Sequence, residues 1–153
     1  MRDEDDKAQV ELRVFEKFVM ATGIVINRNS VRKGYADLGE PDIYCEMEEG
    51  AVYFELAESC APEFAAAITH SLKTDNPKFT SGGDTSTQTI RKKLRKRYKV
   101  PYPIELILYV AGRTALPDNV LVTRIEPFLS KGLGQFRRIW LFGDKVQCIA
   151  SNG

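Results

Sequence analysis

Two carboxylates separated by twelve residues, Asp42 and Glu55, are the side chains best placed to do chemistry in this chain. Apolar and polar residues alternate on both sides of a turn at residues 48–50, and this pattern predicts a β-hairpin over residues 42–57. In that register Asp42 lies opposite Glu55, so the two carboxylates could hold one cation between them. Mg²⁺ suits such a pair because it prefers oxygen ligands and keeps several waters.

The two faces of this predicted hairpin differ in character, since one is wholly apolar and the other carries three carboxylates. The apolar face is expected to pack on the core. The alternative to a cation site is that the other face is only the solvated polar side of an edge hairpin. The apolar face comprises Ile43, Cys45, Met47, Val52, Phe54 and Leu56, and the opposite face comprises Asp42, Tyr44, Glu46, Ala51, Tyr53, Glu55 and Ala57.

A second chemical signal is a run of seven cations in the nine positions 91–99. The sequence predicts a helix over residues 85–98 with a narrow apolar stripe, so the cations would cover the rest of its surface. Crowded like charges repel, and binding a polyanion relieves that repulsion, so phosphate contact is expected. The alternative is a solubilising helix face, or a contact to the acidic surface of a partner. The stripe is Ile90, Leu94 and Tyr98; the cations are Arg91, Lys92, Lys93, Arg95, Lys96, Arg97 and Lys99.

The composition is that of one globular domain, with 153 residues, 43% hydrophobic and 28% charged side chains. These values exclude collagen-like, disordered and disulfide-scaffold proteins. The net charge of +1 hides an asymmetry, since residues 1–63 carry 15 acidic and 7 basic side chains and residues 64–153 carry 6 and 15. Such polarity is expected where carboxylates and a cationic surface meet at one site.

The remaining reactive residue types predict little chemistry of their own. Cys45, Cys60 and Cys148 are scattered and contain no CxxC pair, so reduced thiols are expected rather than a disulfide or a zinc cluster. The single histidine, His70, excludes two-histidine chemistry within one chain and reads as structural. No apolar stretch could span a bilayer, and the acidic N-terminus is unlike a signal peptide, so a cytoplasmic location is predicted.

The pattern along the chain predicts a single α/β domain over residues 1–153, with a mixed central sheet flanked by helices. The strand over residues 104–110 has apolar side chains at both even and odd positions, so both of its faces are expected to be buried in the interior of that sheet. The other predicted elements are a flexible leader over 1–7, helices over 8–20, 62–72 and 118–130, a loop over 73–86, and a C-terminal β-hairpin over 136–142 and 145–150.

The segment Pro41-Asp42-Ile43 on one strand and Glu55 on the next, beside an acidic helix, resemble the PD-(D/E)xK superfamily of restriction-endonuclease-like nucleases. The resemblance covers roughly residues 8–110. It implies an αβββαβ core in which Asp42 and Glu55 bind a divalent metal, Mg²⁺ or Mn²⁺. It also implies a supporting carboxylate on the first helix, for which Glu16 or Glu11 is the nearest match. Apart from the resemblance, Glu58 is a further carboxylate that could aid the metal.

The chain departs from this family at the motif lysine, because Ala57 stands two residues after the second acid. Some members of the superfamily place a lysine or glutamine on the following helix instead. By that resemblance Lys93 would orient the attacking water and stabilise the transition state, with Lys92 and Gln88 as the next choices. Phosphate contacts would then fall to Gln88, Arg91, Lys92, Arg95, Lys96 and Arg97.

Together these features predict a Mg²⁺-dependent nuclease or a nuclease-like protein whose partner is a nucleic acid, DNA in the first instance. One alternative is a degenerate nuclease-fold domain that binds DNA or a protein without cutting. A third is an interaction module that pairs its acidic and basic surfaces in an oligomer, for which a homodimer is the simplest form. Arg137 and Arg138, next to Trp140, could extend the basic patch or decorate an outer strand.

Overall fold

The computed structural model of the protein describes residues 2–58, 85–110 and 117–152. The helix predicted over 62–72 and most of the loop predicted over 73–86 lie outside the described residues, as do Cys60 and His70. None of the described helices is long and apolar enough to cross a membrane. The elements are α1 (Arg2–Thr22), β1 (Ile26–Lys33), β2 (Ile43–Met47), β3 (Gly50–Glu58), α2 (Thr85–Arg95), β4 (Ile104–Tyr109), α3 (Asp118–Leu129), β5 (Phe136–Phe142) and β6 (Val146–Ser151).

The six strands form one mixed sheet in which the spatial order follows the chain, β1 to β6. Strands β1, β2 and β3 are antiparallel neighbours, β3, β4 and β5 run parallel, and β6 returns antiparallel to β5. Parallel neighbours need crossover connections, and right-handed crossovers that advance in one direction place their helices on one face. Helices α2 and α3 accordingly share a face of the sheet.

Helix α1 covers the opposite face. Its buried residues Phe15, Phe18 and Val19 pack on the apolar side of the β2–β3 hairpin, which is the face that the alternation predicts. The ring of Phe54 lies 5.0 Å from Phe15 and 5.9 Å from Phe18, centroid to centroid. Each fully buried phenylalanine contributes about 2 kcal/mol of hydrophobic stabilisation, so this cluster fixes α1 and hence the acidic residues it carries.

The expected architecture, an α/β domain with a mixed sheet between helices, is confirmed. Strand β4 lies between β3 and β5, and Leu106, Ile107 and Leu108 are completely buried, as their continuous apolar run predicts. The predicted C-terminal hairpin and the helix near residues 118–130 are also present. Helix α1 begins at Arg2, so it includes most of the segment assigned to a flexible leader.

Most of strand β1 shows no recognisable strand pattern in the sequence. Its residues are mostly polar, and its pairing with β2 is interrupted by an irregularity between Asn27 and Arg32. The Ser30 hydroxyl accepts a hydrogen bond from the Glu46 N–H at 2.8 Å, which replaces a ladder bond there. Because β1 forms the sheet edge, the β2–β3 hairpin lies inside the sheet and the edge-hairpin alternative is wrong.

Helix α2 ends at Arg95, three residues earlier than predicted. The following segment is neither helix nor strand, and its backbone finds partners elsewhere. The side-chain amide of Gln135 accepts from the Tyr98 N–H and donates to the Tyr98 carbonyl, and the Lys99 N–H donates to the Gly39 carbonyl at 2.9 Å. Lys96, Arg97 and Lys99 therefore lie beyond the helix, while Tyr98 still turns its ring into the core.

Candidate active site

Asp42 and Glu55 face each other where β2 begins and β3 approaches its end. The β2–β3 register pairs Ile43 with Phe54, so Asp42 lies opposite Glu55, as the predicted turn requires. The Asp42 N–H donates to Glu55 Oε1 at 2.9 Å, and the Leu56 N–H donates to Asp42 Oδ2 at 2.9 Å. This reciprocal pair of hydrogen bonds holds both carboxylates in place through the backbone.

Glu55 is buried beneath α2, with 1% of its surface exposed. Lys93 Nζ donates to Glu55 Oε2 at 2.6 Å, and Lys96 Nζ lies 3.7 Å from the same oxygen. Burial by itself raises the pKa of Glu55, but the two ammonium groups outweigh it, so the pKa lies below its usual value. The face of the hairpin that carries Glu55 is therefore a buried charged site.

Asp42 has a different environment. Among the described residues no lysine or arginine lies within ion-pair distance of its carboxylate. Burial, followed by the negative charges of Glu55 and Glu11, raises the pKa of Asp42 to about 6. A carboxylate in this position gains from an added cation, because the cation would offset both burial and repulsion.

The carboxylate that α1 brings to this site is Glu11. It is 6% exposed, accepts a hydrogen bond from Lys33 Nζ, and acts on the pKa of Asp42. The side chain of Glu16 is 64% exposed and lies 3.8 Å from Arg28 instead. Glu58 follows Glu55 by three residues in β3, so strand alternation sends the two side chains to opposite faces of the sheet.

The donor set suits a divalent cation that is coordinated largely by water. Asp42 and Glu55 supply the hard oxygen atoms that Mg²⁺ and Mn²⁺ prefer. In the described part of the chain no three acidic, cysteine or histidine side chains are close enough to form a ready-made metal cage. The Lys93 ammonium contacts Glu55 Oε2, the atom a metal would use, so a metal would compete with Lys93 there.

Tyr98 completes the inner wall of the site and was not identified as a site residue from the sequence. It is 5% exposed. Burial and the negative charges of Glu55 and Asp42 raise its pKa, so the phenol stays neutral at physiological pH. In the sequence, Tyr98 is assigned only to the apolar stripe of a helix. Its position in the site depends on a contact with Gln135, which is distant in sequence and leaves no local signal.

A basic surface continues outward from the site. Arg91, Lys92 and Arg95 are exposed on α2, and Lys96 and Arg97 follow them on the segment after the helix. Gln88 lies in α2, but its side chain is outside the described part of the structure. A groove of about 570 Å³ between α2 and α3 is lined by Arg91, Leu94, Arg95, Pro127, Phe128 and Lys131.

Arg137 and Arg138 bind a buried glutamate, which is neither of the two roles considered for them from the sequence. Both guanidinium groups bind Glu105 Oε2, and the Trp140 indole N–H donates to Glu105 Oε1 at 2.7 Å. Glu105 is 2% exposed, so the two arginines neutralise a buried charge. They are therefore engaged within the fold.

No family model matches the chain, and neither a curated protein nor a solved structure is significantly similar to it. The chemistry therefore has to be argued from the side chains that the fold brings together. These are Asp42, Glu55 and Lys93 at the centre, with Glu11 and Lys33 on the α1 side.

Proposed function

We propose that the protein is a Mg²⁺- or Mn²⁺-dependent nuclease that hydrolyses phosphodiester bonds in nucleic acid, DNA in the first instance. The observation that supports it most is the 2.6 Å contact between Lys93 and Glu55 opposite Asp42. Two acids and a lysine from three separate elements thus meet at one point. Lys93 stands in for the lysine that Ala57 does not provide.

The order of elements also supports a restriction-endonuclease-like core. In the described ranges, which leave out residues 59–84, helix α1, the three antiparallel strands β1 to β3, helix α2 and the parallel strand β4 occur in the αβββαβ order of the PD-(D/E)xK nucleases. The two acids lie on consecutive strands of this unit. The amine lies on the helix that follows them in the described chain.

Each side chain has a distinct role in this proposal. Asp42 and Glu55 would bind the metal, which supplies Lewis acidity and lowers the pKa of a bound water. Lys93, whose flexible stem lets its ammonium turn away from Glu55 Oε2, would donate to the phosphate oxygen on which negative charge develops. Glu11 would add negative charge behind Asp42, and Lys33 keeps Glu11 itself paired.

The direct test is a plasmid-nicking assay with a titration of Mg²⁺ and Mn²⁺. Wild-type protein should nick the plasmid only with metal, and Asp42→Asn should abolish nicking because one carboxylate cannot hold the ion. Glu16→Gln is the matched control, since Glu16 is an exposed carboxylate paired with Arg28, and it should nick at the wild-type rate. Wild-type protein that never nicks, or an Asp42→Asn variant that nicks normally, contradicts the proposal.

One observation favours a second candidate, a domain that binds nucleic acid without cutting it. Lys93 and Lys96 already neutralise Glu55, so the fold does not need a metal at this position. Such a domain would bind DNA equally well with and without metal and would not nick it. Failure to bind nucleic acid under either condition would favour the interaction module, whose homodimer would be visible by sedimentation.

A further inference from the structure

A cluster of tyrosines lies on the same sheet face as the two carboxylates. Tyr44 follows Asp42 by two residues in β2, Tyr53 precedes Glu55 by two in β3, and the two tyrosines are register partners. Their ring centroids are 5.2 Å apart, and Tyr102 stacks on Tyr53 at 6.3 Å with an interplanar angle of 28°. Aromatic rings therefore continue directly from the candidate active site.

Part of this cluster is open to solvent. Tyr35 is 55% exposed and Tyr102 is 47% exposed, although both are large aromatic side chains. The Arg32 guanidinium lies 4.5 Å from the Tyr44 ring centroid and 5.2 Å from that of Tyr35. We call Tyr35, Tyr44, Tyr102 and Arg32 the tyrosine platform.

One carboxylate, Glu40, links the platform to the sheet. It accepts hydrogen bonds from Arg32 Nη1, from the Tyr35 N–H at 2.9 Å and from the Tyr53 hydroxyl at 3.0 Å. The hydrogen bond from Arg32, followed by that from the Tyr35 N–H, lowers the pKa of Glu40 to about 2. Glu40 therefore stays ionised and keeps Arg32 beside the tyrosines.

The basic segment after α2 runs beside this platform. The Lys99 N–H donates to the Gly39 carbonyl, and Gly39 closes the short turn that follows Tyr35. The Lys99 side chain lies so close to Gly39 that a Cβ atom there would meet it at 3.0 Å. The cationic Lys99 thus lies against the turn that follows Tyr35.

We propose, on the basis of the proposed nuclease function, that the tyrosine platform stacks the unpaired bases of a single-stranded segment of the substrate. Lys96, Arg97 and Lys99 would contact the backbone of that segment. Interleaved aromatic rings and cations are the arrangement by which proteins bind single strands, because every unpaired base offers a π-face. Bases within a duplex are stacked on one another and present only their edges, so the platform favours a single-stranded extension beside the cleaved bond.

The test measures binding to a single-stranded oligonucleotide of about 12 nucleotides and to the corresponding duplex. It uses fluorescence anisotropy in metal-free buffer, so that no cleavage is required. Loss of a stacking ring should weaken single-strand binding about 5- to 160-fold per base. We therefore expect the double variant Tyr35→Ala/Tyr102→Ala to lose at least tenfold on the single strand and less than threefold on the duplex.

The matched control is Tyr35→Phe/Tyr102→Phe, which keeps both rings and should bind as the wild type does. Equal losses on both ligands, or a wild type that binds the duplex but not the single strand, overturn the inference. Metal-dependent nicking by wild-type protein would leave the proposed function standing in either case. Conversely, ring-dependent single-strand binding without any nicking supports base stacking on the tyrosine platform and contradicts the proposed nuclease function.

Discussion

Glu55 at 1% exposure and Glu105 at 2% are the most deeply buried glutamates in the described part of the chain, yet their carboxylates have different kinds of partner. Glu105 lies between two arginines and the indole N–H of Trp140, and both of its oxygens accept from rigid donors. Glu55 accepts from a backbone N–H and from Lys93, with Lys96 nearby. A second acid, Asp42, lies opposite Glu55.

The difference lies in the kind of cation. A guanidinium is a planar fork whose geometry matches a carboxylate, whereas an ammonium is a point charge on a flexible stem. Arg137 and Arg138 therefore fix Glu105 as part of the fold. Lys93 contacts Glu55 through one flexible ammonium, which we expect a metal cation to displace, while burial and then the negative charges of Glu55 and Glu11 raise the pKa of Asp42. Glu55 therefore differs from Glu105 in that its cationic partners are ammonium groups and a second carboxylate lies beside it.

The largest contrast between the two regions should appear in the cleavage rate. Lys93→Ala should lower the single-turnover rate by about 10²- to 10³-fold, the usual effect of losing one transition-state stabiliser. Arg138→Ala, which removes a cation from the other buried glutamate, should leave the rate of the folded protein within about threefold. If both variants lose the same factor, the distinction between the two regions is wrong.

Stability should show the reverse order. Glu105→Gln should lower the free energy of unfolding by about 3 kcal/mol. The glutamine NH₂ would face either the two arginines or the Trp140 N–H, which are themselves donors, so buried groups would be left unpaired. Glu55→Gln should cost less, since its oxygen can still accept from the Asp42 N–H and Lys93 can turn to solvent. Urea denaturation at pH 7 measures both. An equal or larger loss for Glu55→Gln would contradict this reasoning.

Asp42 should make stability depend on pH with a definite sign. Its pKa is about 6 in the folded chain against a reference value of 3.8, so between these values the folded state binds more protons than the unfolded state. Stability therefore falls as pH rises from about 4 to 6, by about 3 kcal/mol in total. Asp42→Asn should recover most of this lost stability at pH 8 and should not change the stability at pH 4.

The control for this pH effect is Asp37→Asn, which removes an exposed carboxylate from the short turn before β2. It should leave the free energy of unfolding unchanged within about 0.5 kcal/mol at both pH values. An Asp42→Asn variant whose stabilisation is the same at pH 4 and pH 8 would show that the carboxylate charge is not the cause.

The smallest effect concerns the exposed basic surface. Affinity for duplex DNA should fall with salt at a log–log slope of about −0.9 per phosphate neutralised. Replacing Arg91, Lys92 and Arg95 by glutamine should flatten that slope by up to about 2.7 without changing the melting temperature. Binding that is insensitive to salt would remove phosphate contact from these residues.

Local pattern predicts much of the fold but less of the site. The alternation around residues 48–50 gives the register that sets Asp42 opposite Glu55, and the apolar run of β4 gives its interior position. Strand β1 is not predicted, because its pairing relies on Ser30 and on a bulge, and neither produces a hydrophobic periodicity in the sequence. Helix position alone could not separate Glu11 from Glu16, since their difference lies in contacts with Lys33 and Arg28.

The burial of Glu55 and the capture of Arg137 and Arg138 depend on contacts between distant parts of the chain. A hairpin face with three carboxylates is solvated if it lies at an edge and buried if a helix covers it. Only the packing of α2 decides between these cases. Likewise, basic residues beside a tryptophan give no sign that a buried glutamate lies 32 residues before them on the neighbouring strand.

Isothermal titration calorimetry with Mn²⁺ measures whether the Asp42–Glu55 pair binds a divalent cation, as we propose. We expect one site per chain in the wild type, retained in Glu105→Gln and lost in both Asp42→Asn and Glu55→Gln. The metal should raise the melting temperature of the wild type and of Glu105→Gln, the two proteins that bind it. A wild type without binding heat, or a Glu55→Gln variant that binds Mn²⁺ as the wild type does, would show that the pair is not a cation site.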